Sequence, residues 1–228
     1  MAKEHKAFDS RGERAHYASL AHETPTPEKL DLLNADMYLW VPNFPSLFRG
    51  KRILDLGAGC APLGILVAQR FDPAAVVSLD VGFEGLRTAV DVRKQLRPLS
   101  LVCGSALALP FHDKSFDLVV ANSLLHHLPN VGEAAAEITR VLKPGGYYIG
   151  REPNFNNPLL RLAVFKLQRT FVYPATCSPN EHPLRSKEIV RAFSRAGCRC
   201  RLQYFWRRLP WLQNPILSVA MSVQAQRQ

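Results

Sequence analysis

The chain reads as an α/β protein, a doubly wound and mostly parallel sheet with helices on both faces, and three observations predict it. Between residues 50 and 150 short apolar runs alternate with amphipathic segments such as 83–96 and 131–141, the pattern of strands joined by crossover helices. Ile53-Leu-Asp55-Leu-Gly57-Ala-Gly59-Cys60-Ala-Pro62-Leu-Gly64 carries an apolar strand straight into a glycine turn and a helix start. Ala74-Ala-Val-Val-Ser-Leu-Asp80 is a second apolar run that ends in a carboxylate, the arrangement that receives the ribose hydroxyls of a nucleoside at the carboxyl edge of such sheets.

Taken in order, residues 1–48 mix helical stretches with the proline-rich breaks Thr24-Pro-Thr-Pro27 and Val41-Pro-Asn-Phe-Pro45 and read as an N-terminal cap, with Tyr17 placed to close over a ligand. In the glycine turn, the third small position of a dinucleotide fingerprint, counted from Gly57, is occupied by Pro62, so a pyrophosphate-binding loop is disfavoured. Asp55 adds a charge argument. A carboxylate beside the turn repels a pyrophosphate and attracts a cationic nucleoside such as the sulfonium S-adenosylmethionine.

The later motifs keep a fixed order: Leu101-Val-Cys-Gly104-Ser105-Ala106-Leu-Ala-Leu-Pro110-Phe111, then Ser115-Phe116-Asp117 running through Asn122 to His126-His127-Leu128, then Ile138-Thr-Arg140-Val-Leu-Lys143-Pro144-Gly145-Gly146. On these residues the chain resembles the class I S-adenosylmethionine-dependent methyltransferases, most closely their small-molecule and quinone-type group, over about residues 50 to 150. The resemblance implies a Rossmann-like seven-stranded sheet with an antiparallel last strand, S-adenosylmethionine as cofactor, and a cofactor site at Asp55, Gly57, Gly59, Asp80, Ser105, Ala106 and Asn122. It departs from the family pattern in two places. Ser105 stands where an acidic residue usually accepts from the adenine amino group, which removes charge assistance, and Ala61 replaces the third glycine, which asks for less permissive backbone angles.

Beyond the core, Tyr147-Tyr-Ile-Gly150 is expected as the fifth strand, with Arg151-Glu152-Pro153-Asn154 leaving its carboxyl end and bordering the pocket. Residues 155–184 break the alternation and read as an inserted lid, with a short apolar helix within Pro158–Pro174 that carries Arg161, Lys166 and Arg169. Ser186 is expected to cap a helix that Gly197 closes, Cys198–Phe205 to form the sixth strand, and Ile216–Gln224 the seventh. Residues 185–228 thus complete the sheet of a single domain.

Composition narrows the partners. With 228 residues, 47% hydrophobic, the chain suits one sizeable core. No long apolar run and no apolar leader are visible, so a cytoplasmic enzyme is expected. Cys60, Cys103, Cys177, Cys198 and Cys200 show no C-x-x-C pair and read as buried small hydrophobes; no metal site is expected. The net charge of +10 comes wholly from residues 151–228, which hold 13 basic and 3 acidic residues. That half is suited either to solvated arginines or to an anionic partner, RNA or an anionic membrane surface.

Methyl transfer asks mainly for in-line positioning and exclusion of water. A hydroxyl or acidic carbon acceptor also needs a base, and His126 and His127, just past the fourth strand, are the candidates, with His182 behind them. The first expectation is therefore methylation of a small or lipid-like metabolite at O, N or C. The alternatives are an RNA methyltransferase, although Ala121-Asn122-Ser-Leu lacks the Asn-Pro-Pro-aromatic motif of many amino-methylating enzymes, and a binding protein without catalysis.

Overall fold

The computed structural model describes residues 24–164, 181–206, 208–209, 211 and 213–228. Seven strands form one sheet: β1 Arg52–Leu56, β2 Ala75–Asp80, β3 Leu99–Cys103, β4 Phe116–Asn122, β5 Leu142–Pro153, β6 Cys198–Phe205 and β7 Ala220–Arg227, in the order β3-β2-β1-β4-β5-β7-β6. The first five run parallel, and β7 enters antiparallel between β5 and β6. The strand order reverses between β1 and β4, so a crevice opens at their carboxyl ends, where open α/β sheets bind ligands.

Two apolar layers cover the faces. Side chains alternate across the pleat, so Ile53, Val76, Val120 and Ile149 face one layer while Leu54, Leu56, Val119 and Tyr148 face the other. On the first face lie helices α1 Pro27–Trp40, α2 Pro62–Arg70, α3 Phe83–Thr88 and α4 Val90–Lys94, through Leu30, Met37, Trp40, Ile65, Leu66, Leu86 and Ala89. On the second face α5 Val131–Val141 buries Ala134, Ala135, Ile138 and Val141, and α7 Ser186–Arg195 buries Ile189 and Phe193. The short α6, Pro158–Leu162, lies between β5 and α7 in sequence.

Several expectations are met closely. Pro62 opens α2, α5 spans 131–141, β6 spans 198–205, and Gly197 ends α7 with a φ of 86°. Others are corrected. The expected helix over 83–96 is two short ones, because the chain turns at Ala89, whose backbone N–H bonds to Leu86 O. Ser186 is the first helical residue of α7 and not its cap; it is buried and its Oγ accepts from Asn156 Nδ2 at 2.8 Å. β5 begins five residues earlier than expected and runs on to Pro153, with a register shift against β4 between Phe116 and Leu118 that absorbs the Lys143-Pro-Gly-Gly segment. β7 is displaced toward the C-terminus because Asn214 Oδ1 accepts from the amides of Ile216 and Leu217, which holds 214–218 in a turn.

In the N-terminal region Pro27 does not break a helix but starts one, with Thr26 Oγ1 accepting from the Lys29 amide. Tyr17, Cys177 and the lid residues 165–180 lie outside the described residues. Among the described residues, no helix is long and apolar enough to cross a membrane.

The glycine turn enters α2 through a tight contact. A Cβ on Gly64 would lie 2.0 Å from Ser78 Oγ and 3.1 Å from Asp55 Oδ2. Gly64→Ala is therefore expected to lower unfolding stability by about 1–3 kcal/mol, the usual cost of overpacking a core. A urea midpoint equal to that of the wild type would contradict this packing.

Candidate functional site

The glycine turn is tied to the end of β2 by its own backbone. Gly57 N and Ala58 N both donate to Leu79 O, at 2.9 and 3.0 Å, and Gly59 N donates to Asp80 Oδ2 at 2.8 Å. Gly82 N donates to Asp80 Oδ1 at 2.7 Å. Two amides therefore fix the Asp80 carboxylate at the carboxyl edge of the sheet, half-buried beside the turn. Gly57 and Gly59 take positive φ values of 73° and 56°. A Cβ on Gly57 would come within 2.8 Å of Leu124 Cδ1, so this glycine lets the loop after β4 approach. A Cβ on Gly59 would meet nothing within 4 Å, so here the backbone faces open space.

Ala61 also adopts a left-handed conformation, φ 57° and ψ 36°, although it carries a Cβ. The expectation of more restricted angles at this position is therefore corrected: the turn keeps the geometry of a glycine and bears a local cost on the order of 1 kcal/mol.

Asp55 has a different place from the one its charge suggests. Its side chain is buried, and Oδ2 accepts from Ser78 Oγ at 2.8 Å and from Gly64 N at 3.1 Å. Residues 55 and 78 are register partners on β1 and β2, so their side chains share a face under the first turn of α2. Burial pushes the Asp55 carboxyl up to about 7; the bonds from Ser78 and Gly64 oppose the rise, and the charge of Asp80 adds to it. Asp55 thus positions the turn from within the core, and sequence reading missed its partner Ser78, whose signal is a hydroxyl inside an otherwise apolar strand.

Ser105 and Ala106 follow β3. Ser105 Oγ accepts from the Leu107 amide at 3.2 Å, which fixes its rotamer, and Ala106 is buried. Asn122 ends β4 on the face that carries Val120, opposite Arg151 of β5, and its Oδ1 accepts from Arg151 Nη1 at 3.3 Å.

The histidine pair divides. His126 is buried, 4% exposed, and its Nδ1 lies 2.6 Å from Oε2 of Glu152, itself 1% exposed. Oε1 of Glu152 accepts from the amides of Leu124 and Leu125 at 3.1 and 2.8 Å, and His126 O accepts from the His182 amide at 3.0 Å. Through Glu152, His126 clamps the loop after β4 to β5. His127 is half-buried, with its ring centroid 4.1 Å from that of His126. Of the cysteines, Cys198 is buried as expected, whereas Cys103 is exposed.

Beside Asn122 a cavity of about 410 Å³ opens over the carboxyl ends of β4 and β5, walled by α1 and by the segments that flank β6 and β7. Leu32, Leu33, Phe205, Trp206, Val219 and Ala220 give it apolar walls; Asp36, Arg151 and Arg208 give it charge. Its size is that of small-molecule sites. The sequence pointed to Arg151 only as a border residue; Asp36, Trp206 and Arg208 were not distinguishable from ordinary helix and loop positions.

Asp55 yields a pH prediction. A carboxyl raised in the folded state makes the native protein hold a proton that the unfolded chain has released, so stability falls as pH rises from about 4 to 7. Asp55→Asn keeps an acceptor for Ser78 and Gly64 and is expected to flatten that fall, read as urea midpoint against pH. Parallel curves for the two proteins would place the proton elsewhere.

Comparison with known proteins agrees with this geometry. Residues 54–150 match the methyltransferase domain family. Over 111 residues the chain is 35% identical to a fatty-acid O-methyltransferase of Mycolicibacterium smegmatis, covering 48% of this chain and 40% of that protein. It is 32% identical to the demethylmenaquinone methyltransferase of Staphylococcus haemolyticus over 126 residues, 55% of this chain and 53% of the relative. The chain thus spans about half, or less, of the length of these relatives. An S-adenosylmethionine-dependent methyltransferase from Mesorhizobium loti shares the fold with a TM-score of 0.68 at 17% identity, covering 87% of this chain and 100% of the other. In its strand order, glycine turn and matched segment, residues 54–150 above all, the chain is similar to the class I S-adenosylmethionine-dependent methyltransferases and shares their fold.

Proposed function

We propose that the protein transfers a methyl group from S-adenosylmethionine to a small, lipid-like metabolite. The observation that carries this reading is the placement, at one sheet edge, of a glycine turn tied to Asp80 and of a cavity that Asn122 borders and that Leu32, Leu33, Phe205 and Trp206 line in part. The residues present fit the cofactor: open space faces the Gly59 backbone, and Asp80 is held by two amides where a ribose would be received. Gly57, Gly59, Asp80, Ser105, Ala106 and Asn122 would hold it, with Asp55 supporting the turn from below. Bound there, S-adenosylmethionine supplies an electrophilic methyl group on a sulfonium.

The chain's own part is placement. The buried Glu152–His126 pair and the two loop amides fix Leu124 and Leu125, and Leu124 lies against Gly57 of the glycine turn. Leu32, Leu33, Phe205 and Trp206 offer the acceptor apolar contact. His127, half-buried in the loop after β4, is a candidate for moving a proton from a hydroxyl acceptor, with His126 and His182 beside it.

The relatives that act on fatty acids and on demethylmenaquinone support a lipid-like acceptor. So do the exposed apolar side chains Leu159, Leu162, Trp211, Ile216 and Leu217; Asn157 Nδ2, at the start of α6, donates to Leu217 O and draws α6 to the 214–218 turn. An RNA acceptor draws less support from the described residues. Lys187, Arg191 and Arg195 are exposed on α7, which covers one face of the sheet, while Arg199 and Arg201 alternate with the core-facing Cys198 and Cys200 and so point to the other face. A cytoplasmic site of action belongs to the same proposal and rests on the free thiols of Cys60, Cys103, Cys198 and Cys200.

Incubation with methyl-labelled S-adenosylmethionine and a cell extract, followed by separation into lipid, small-metabolite and RNA fractions, tests the reading. Label is expected in the lipid or small-metabolite fraction. Label confined to RNA would favour the basic half as a nucleic-acid surface, and no label in any fraction would remove the catalytic reading.

A further inference from the structure

Two arginines of this protein are held in opposite ways. Arg140 on α5 is saturated: Nε donates to Glu137 at 2.7 Å, Nη1 to Phe111 O and Asp113 at 2.7 and 2.9 Å, and Nη2 to Leu109 O and Glu137 at 3.0 and 2.9 Å. All five donors are in use, as expected of a structural guanidinium. Arg151 in the cavity wall is different. It reaches Asn122 Oδ1 at 3.3 Å and stands 3.7 Å from Asp36 Oδ2, both longer than the roughly 2.7–2.9 Å of a charge-assisted bond. Its Nε is buried and has no hydrogen-bond partner among the described residues; the same holds for Asp36 Oδ1.

Buried polar atoms left this way cost stability, and native proteins keep few of them. Here the two fall together, in a cavity that six apolar side chains also line, Leu32, Leu33, Phe205, Trp206, Val219 and Ala220. Arg208 adds a second positive charge at an exposed position of the lining, so the described lining holds two guanidinium groups against one carboxylate. A planar fork of donors beside a row of apolar side chains is matched by a planar anion on an apolar body.

Resting on the reading of this cavity as the acceptor seat, we propose that Arg151 is the specificity residue for the acceptor and that the acceptor is an apolar carboxylate. The acid group docks on the guanidinium beside Asn122, and its hydrocarbon part lies along Leu32, Leu33, Phe205 and Trp206. Asp36 holds Arg151 loosely until the ligand's carboxylate takes its place, which makes it a competitor of the ligand. The arrangement places the recognised anion at the Asn122 end of the cavity, next to the crevice, and the tail toward the 206–219 side.

The inference is tested by binding, which needs no turnover. Trp206 in the cavity wall gives a fluorescence signal for titration with dodecanoate, dodecyl phosphate, dodecanol and dodecylammonium, each below its aggregation concentration. Dodecanoate is expected to bind at least tenfold more tightly than dodecanol or dodecylammonium and more tightly than the phosphate. Arg151→Gln is expected to remove that preference, Arg208→Gln at the exposed position to reduce it by a smaller factor without disturbing the fold, and Asp36→Asn to strengthen dodecanoate binding threefold or more. Equal affinity for acid and alcohol overturns the proposal, as does a wild-type preference in Arg151→Gln or weaker binding in Asp36→Asn. A preference for the phosphate assigns the site to a different anion and overturns the carboxylate. S-adenosylhomocysteine is titrated in parallel: its failure to bind, with the carboxylate preference intact, would count against the methyltransferase reading alone.

Discussion

The constraint on which the rest depends is a buried carboxylate under a helix start. Asp55 Oδ2 takes hydrogen bonds from Ser78 Oγ on the neighbouring strand and from the amide of Gly64 in the first turn of α2. That single oxygen joins β1, β2 and α2, and so sets where residues 57–61 cross the carboxyl edge of the sheet. The amides of Gly57 and Ala58 on Leu79 O and of Gly59 on Asp80 complete the same junction from above. Only glycine fits at position 64, where any side chain would collide with Ser78, and Ala61 accepts a left-handed backbone so that the turn closes. The crevice is therefore built from below by a hydrogen-bonded core group and not by surface charge.

A second buried carboxylate does the parallel work on the other face. Glu152 leaves β5 and gathers Leu124 N, Leu125 N and His126 Nδ1. Asp55 fixes the glycine turn on one side of Asn122, and Glu152 fixes the loop just beyond it. Arg151, weakly bonded to Asn122, lines the cavity together with apolar side chains. The proposed in-line displacement needs placement more than it needs a reactive side chain. Burial of His126 beside Glu152 serves the same end.

Much of the fold was legible because its signals are local. Hydrophobic period placed β1, β2, β4 and α5, and Pro62 and Gly197 marked helix ends that the structure shares. The glycine turn and the strand-end Asp80 were legible for the same reason, and the structure ties one to the other. What escaped depends on packing between distant segments. Asp55 looked like a surface charge because a sequence does not show that Ser78 faces it across the register. The histidine pair looked reactive because Glu152 is 26 residues away along the chain. Arg151 and Asp36 come from different ends of the domain, and nothing in either neighbourhood marks them as a pair. The helix over 83–96 was overextended since its amphipathic period continues through the break at Ala89.

The central claim is that the turn at Gly57–Ala61 and the carboxylate of Asp80 form a seat for a nucleoside thioether. Isothermal titration of S-adenosylmethionine into the wild-type chain and into Asp80→Ala tests it most directly. The account predicts saturable binding of one molecule per chain, weakened at least tenfold by the substitution. No heat of binding at millimolar ligand, or equal affinity in the two proteins, would contradict it.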